Sequence, residues 1–235
     1  MNRSRILTAY DETTAVTLNT WRDHPETGEA EPYCDDTRRL CISSGCKITA
    51  AGALRDVHTA LLALANEDAA FDVTPASGLH FSFLAMSWGL YDAPEEYAND
   101  ADDLIALFKA HTAGLNYRIK HLRLVPLRNT LILAGVPDAA SFDARQGFAE
   151  AAMQTRWRAH MEARYQGYSI PPLFWHTTLA RHHHRYAPAA MRELHAQFAS
   201  RTFDDLVLGR PMLALVNYNW TRCFPIHPRK KTSQV

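Results

Sequence analysis

The sequence predicts an α+β protein of two related lobes, with antiparallel sheets lining a central groove and helices outside. Three observations carry this. Helical and strand periodicities alternate along the chain. The order helix, histidine-bearing strand, helix, two strands occurs in residues 49–136 and again in 141–220. The two histidine-bearing strands, GLHFSFLAM at 78–86 and FWHTTLAR at 174–181, also share an imidazole followed two residues later by a hydroxyl. The repetition lies in element order rather than in the residues, which suggests a pseudo-twofold between lobes of about 47–136 and 137–225.

Taken in order, residues 1–46 show the least regularity and read as an N-terminal extension, an arm or cover on the domain at 47–225. Thr49–Asp68 places Leu54, Val57, Leu61 and Leu64 at helical spacing after a capping threonine. The turn cluster Pro75-Ala76-Ser77-Gly78 delivers the chain into the first motif strand. Pro94–Ala113 reads as one helix, with Glu95 and Glu96 early, where they suit the helix dipole. Tyr117–Leu124 and Leu131–Val136 read as a hairpin across Pro126-Leu127-Arg128-Asn129. Ser141–Tyr165 reads as a long helix, GYSIPP as a loop, and Pro188–Ala199 as a short helix. Leu206–Leu208 and Leu213–Asn217 are expected to pair around Gly209-Arg210-Pro211. Residues 226–235 read as a flexible tail.

With 235 residues, 47% hydrophobic, the chain can bury a sizeable core. Lys+Arg and Asp+Glu both total 25, which argues against a duplex-DNA coat or a membrane-surface protein, since both need a basic excess. Cys34, Cys41, Cys46 and Cys223 match no zinc spacing and read as free thiols. No signal-like or membrane-spanning run is present, so a soluble cytoplasmic protein is expected.

The chemistry lies in the paired motifs. Alternation along a strand puts residues i and i+2 on one face, about 7 Å apart. His80 and Ser82 thus share a face against Leu79, Phe81 and Phe83, and His176 and Thr178 share one against Trp175, Thr177 and Leu179. Brought together, the strands would line a groove with two imidazoles and two hydroxyls. That set suits phosphodiester cleavage: one neutral imidazole takes a proton, one protonated imidazole gives one, and the hydroxyls bond the non-bridging oxygens. Of the 12 histidines, only His80 and His176 satisfy His-x-Ser/Thr-apolar.

On these residues the chain resembles the two-histidine (2H) phosphoesterases, the superfamily with LigT-like cyclic phosphodiesterases, in a bacterial branch of uncharacterised function. HFSF and HTTL carry the resemblance, with TPASGLHFSF as lead-in, over roughly residues 47–220. It implies a bilobal α+β fold and metal-independent hydrolysis of a small nucleotide or RNA-end phosphodiester, such as a 2′,3′-cyclic phosphate or a 2′-5′ linkage, with no cofactor. His80, His176, Ser82 and Thr178 would be catalytic. Serine at position 82 replaces the usual threonine and keeps the hydroxyl.

For a nucleobase, Phe174 shares the His176 face, and Tyr168 in GYSIPP lies where the groove should open. Gly78 would leave room for substrate beside His80. Strand parity sends Arg181 to the face opposite His176, outside the site unless a bulge re-aims it. His182-His183-His184 reads as a polar turn, since adjacent residues cannot readily share one ion and no matching acid lies nearby. The alternative to an enzyme is a module that binds a nucleotide or cyclic oligonucleotide in the same groove without turnover. A metalloprotein that uses the histidine run and the scattered cysteines is the third reading.

Overall fold

A computed structural model describes residues 3–31, 38–97 and 101–227. Among the described residues, the chain forms two antiparallel sheets and six α-helices. The strands are β1 (Cys41–Lys47), β2 (Phe71–Val73), β3 (His80–Ala85), β4 (Tyr117–Pro126), β5 (Thr130–Pro137), β6 (His176–His182), β7 (Leu206–Gly209), β8 (Met212–Val216) and β9 (Cys223–Pro225). The helices are α1 (Arg3–Asp23), α2 (Gly52–Glu67), α3 (Asp102–Thr112), α4 (Ala139–Ala152), α5 (Arg158–Arg164) and α6 (Ala189–Phe198).

One sheet has the order β3-β1-β8-β9 and the other β2-β6-β5-β4-β7. The motif strands therefore lie in different sheets, β3 at an edge of the first and β6 inside the second. Contact between β3 and β6 joins the sheets, and the His80 amide donates to Thr177 Oγ1 across the junction at 3.3 Å. Behind it, Phe83 packs edge-on against Tyr117 and Trp175 at 5.6 and 6.2 Å, and these two rings lie 5.7 Å apart. Three buried aromatic rings from β3, β4 and the lead-in to β6 thus tie the sheets through large apolar area and favourable ring geometry.

Several expectations need correction. The lobes are not successive halves of the chain, because the first sheet combines β1 and β3 with β8 and β9. Nor is the segment before residue 47 irregular throughout. Its helix α1 buries Ile6, Tyr10 and Trp21 and packs on β4 and β5, while β1 is an inner strand. The β7–β8 hairpin does not form: β7 pairs with β4, and β8 with β1 and β9. Gly209, at φ +73°, turns the chain from one sheet into the other. The turn itself is present, but each strand finds its partner far away in sequence.

The expected helix 141–165 is broken between α4 and α5. Thr155 Oγ1 donates to the Ala152 carbonyl at 2.6 Å and accepts from the Trp157 amide at 3.2 Å. It thereby takes over backbone groups that a continuous helix would use. The helix expected over 94–113 reduces to a single 3-10 turn at Pro94–Glu96 and then α3; residues 98–100 lie outside the described residues.

The β4–β5 hairpin forms as expected. Cys41, Cys46 and Cys223 are free thiols, and Cys34 lies outside the described residues. Of the expected tail, Ile226 is buried and its amide donates to the Leu213 carbonyl; residues 228–235 lie outside the described residues. No helix among the described residues is long and apolar enough to cross a membrane.

Candidate functional site

A cavity of about 860 Å³, counted out to its open mouth, lies between the two sheets. His80 and Ser82 line it from β3, and His176 and Thr178 from β6. All four residues singled out by the motifs therefore meet in one place.

His80 opens β3 directly after a 3-10 turn at Ala76–Gly78. Its Nδ1 lies 2.8 Å from the Gly78 carbonyl. A carbonyl only accepts, so Nδ1 carries the hydrogen, and in the neutral ring the lone pair sits on Nε2. Trp220 lies flat on the imidazole, with ring centroids 4.4 Å apart and planes 12° apart. Lys47 fastens this corner by donating to the carbonyls of Ser77 and Trp220. Burial pulls the His80 pKa down to about 3; the Gly78 bond opposes this, and His176, Lys47 and Arg181 add to it.

His176 opens β6, and its Nδ1 is buried without a hydrogen-bond partner. Burial pulls its pKa down to about 4, with Arg181 and then Arg145 contributing. Burial therefore favours the neutral form of both rings near pH 7.

Arg181 corrects the parity argument. The β5–β6 register slips between Leu131 and Ile132, which face Ala180 and Thr178, so Leu179 is the extra residue of a bulge. Leu179 and Ala180 are both fully buried, and alternation resumes one residue out of step. Arg181 thus enters the cavity lining, where its Nη2 donates to Thr178 Oγ1 at 3.4 Å. Two successive apolar residues before the arginine were the sequence sign of this bulge.

Phe174 lines the cavity as expected, edge-on to Tyr10 of α1 at 4.8 Å. Tyr168 does not line it: it is 77% exposed on the loop after α5. The space at Gly78 is not for substrate either. A Cβ there would lie 2.3 Å from the Asn219 carbonyl oxygen, so the glycine admits the backbone of the 217–221 loop.

The sequence reading did not orient Tyr218 or Trp220, and it missed Arg145 on α4 and Arg164 and Tyr165 around the end of α5. These come from segments distant from both motifs, and nothing in their own spacing marks them. The histidine run differs too. His182 is buried in β6, its Nε2 is 3.1 Å from Asp68 Oδ2, and its ring stacks on His184 at 4.9 Å. An acid therefore does lie nearby, brought by the end of α2. Among the described residues no group of three or more His, Cys, Asp or Glu side chains is placed to hold a metal ion.

No family model matches the chain, and no curated protein matches it. Solved structures similar to it at low identity include the following two. TT0787 of Thermus thermophilus is 16% identical over 81% of this chain and 100% of its own, with a TM-score of 0.42. The conserved protein of unknown function ATU0111 from Agrobacterium tumefaciens str. C58 is 13% identical over 83% of this chain and 89% of its own, with a TM-score of 0.38.

Proposed function

We propose that this cavity hydrolyses a nucleotide or RNA-derived phosphodiester by two-histidine acid–base catalysis. The observation that carries the reading is the meeting of His80, Ser82, His176 and Thr178, from two different sheets, in one cavity. His80 is the base of the first step, because its Nδ1–H is held by Gly78 and Nε2 is left to accept a proton. His176, the other ring of the pair, is then the acid. Water attacks phosphorus as His80 takes its proton; the bond to the leaving oxygen breaks as His176 supplies the proton that oxygen needs. For a cyclic phosphate the product is a phosphomonoester.

Ser82, Thr178 and Arg181 face the non-bridging oxygens, where negative charge accumulates. The described cavity lining contains no Asp or Glu, and Arg145, Arg181, His80 and His176 are among its side chains. A second reading, ligand binding without turnover, draws on one observation: both rings are held neutral well below pH 7.

Incubation with 2′,3′-cyclic nucleotides and 2′-5′-linked dinucleotides, followed by phosphorus NMR, separates the two. Product formed by wild type and lost in His80→Ala and His176→Ala supports hydrolysis. Thermal stabilisation by these ligands with no product from any of them replaces it with the binding reading.

A further inference from the structure

The cavity carries cationic side chains at two ends. β3 starts at His80 beside Trp220 and runs to Ala85, whose amide donates to Tyr165 Oη at 3.0 Å. Five strand steps put those ends about 17 Å apart. β6 runs the opposite way, from Phe174 and His176 to Arg181, whose guanidinium lies 5.7 Å from the Tyr218 ring centre. Arg181 and His80 thus belong to the Tyr218–Trp220 end, and Arg145, Arg164 and Tyr165 line the other, with Arg145 bonded two residues before His176.

Arg145 is the unusual member. It is 3% exposed and stacks on Trp175, with its guanidinium carbon 3.4 Å from the ring centre. Nη1 and Nη2 donate to the carbonyls of Phe174 and Pro172 at 3.2 and 2.6 Å, while Nε is buried with no partner. Among the described residues no carboxylate pairs with it, and the charged or ionisable groups that act on it are the tyrosines Tyr117, Tyr165 and Tyr10. A buried guanidinium without a counter-charge is costly, and two carbonyls satisfy only part of its five N–H donors. Arg164 lines the cavity at the same end, its guanidinium carbon 3.7 Å from the Trp88 ring centre.

We infer that the Arg145–Arg164 end is a second anion subsite, so that the substrate is a phosphodiester bearing a further phosphate group. This deepens the phosphodiester reading and rests on it. The scissile group sits between the histidines beside Arg181, and the second phosphate supplies the counter-charge that Arg145 lacks. Guanidinium suits that task because its planar fork bonds two phosphate oxygens at once.

The test compares adenosine 2′,3′-cyclic phosphate with the same compound phosphorylated at the 5′ oxygen, measuring Kd by calorimetry and turnover by phosphorus NMR. The added phosphate should tighten wild-type binding at least tenfold. That ratio should fall towards one in Arg164→Gln and in Arg145→Gln, and Arg145→Lys should recover part of it. Arg164→Gln keeps the test decisive if Arg145→Gln fails to fold. Equal wild-type affinity for the two compounds, or a ratio unchanged in the variants, overturns the subsite. A preserved affinity ratio with no turnover of either compound leaves the subsite standing and overturns the hydrolytic reading alone.

Discussion

The indole of Trp220 lies flat on the imidazole of His80, 12° from parallel, and Trp220 itself adopts a left-handed φ of +58°. That conformation is unfavourable for a bulky residue and persists only where its surroundings enforce it. Here Lys47 holds the Trp220 carbonyl, and the Asn217 carbonyl accepts from the Trp220 amide. Trp220→Ala should cut kcat at least tenfold through loss of imidazole positioning. Because burial is the main cause of the low His80 pKa, admitting water should raise it, which NMR titration of the ring would show.

His80→Ala and His176→Ala should each lower kcat by about 10²- to 10⁴-fold while the unfolding transition stays cooperative. The double variant should be little worse than either single one, because the two rings act as a unit. Rates measured for all three in parallel check this, and full activity in either single variant would end the assignment.

The pH dependence follows from the two depressed values. The proposed two-histidine mechanism needs one ring charged and one neutral, whereas free protein above about pH 4 holds both neutral. kcat/KM should therefore fall about tenfold per pH unit above pH 4. Bound phosphate adds negative charge, so ligand binding should take up a proton, measurable by calorimetry in buffers of different ionisation enthalpy.

Stability is linked to the same groups. Both folded values, about 3 and 4, lie below the ordinary 6.5, so the unfolded chain binds more protons in between. This contribution is fully present above pH 6.5 and is lost as pH falls towards 3 to 4. The midpoint of denaturant unfolding should fall more between about pH 7.5 and 4 for wild type than for His80→Gln or His176→Gln.

Tyr10 ties α1 to the site. Its hydroxyl donates to the Gly135 carbonyl at 2.8 Å and accepts from the Trp175 amide at 3.1 Å, one residue before His176. Tyr10→Phe leaves both groups buried and unpaired, at a cost of about 1–3 kcal/mol. For a chain of this size that lowers Tm by roughly 2–4 °C per kcal/mol.

How much of this was legible follows from the range of each interaction. Strand parity in HFSF and HTTL located four cavity residues, because a period of two is set by the backbone alone. The β4–β5 hairpin was legible for the same reason, since its partners are neighbours in sequence. Arg181 was lost to a bulge that depends on pairing with β5, and Arg145 to a helix whose approach to Phe174 is tertiary. Tyr168 failed because an exposed loop aromatic carries no periodic signal of its direction. The β7–β8 pairing failed because strand edges on β4 and β1 competed with the local turn.

The interleaving of the sheets has a consequence for how the site comes into being. β1 lies between β3 and β8, so the edge strand that carries His80 is held through β8 and β9 as well as by its contact with β6. His80 therefore acquires its final surroundings only when strands more than 130 residues later in the chain have docked. The two motif histidines thus share one cavity only in a chain whose far end has folded back onto its beginning.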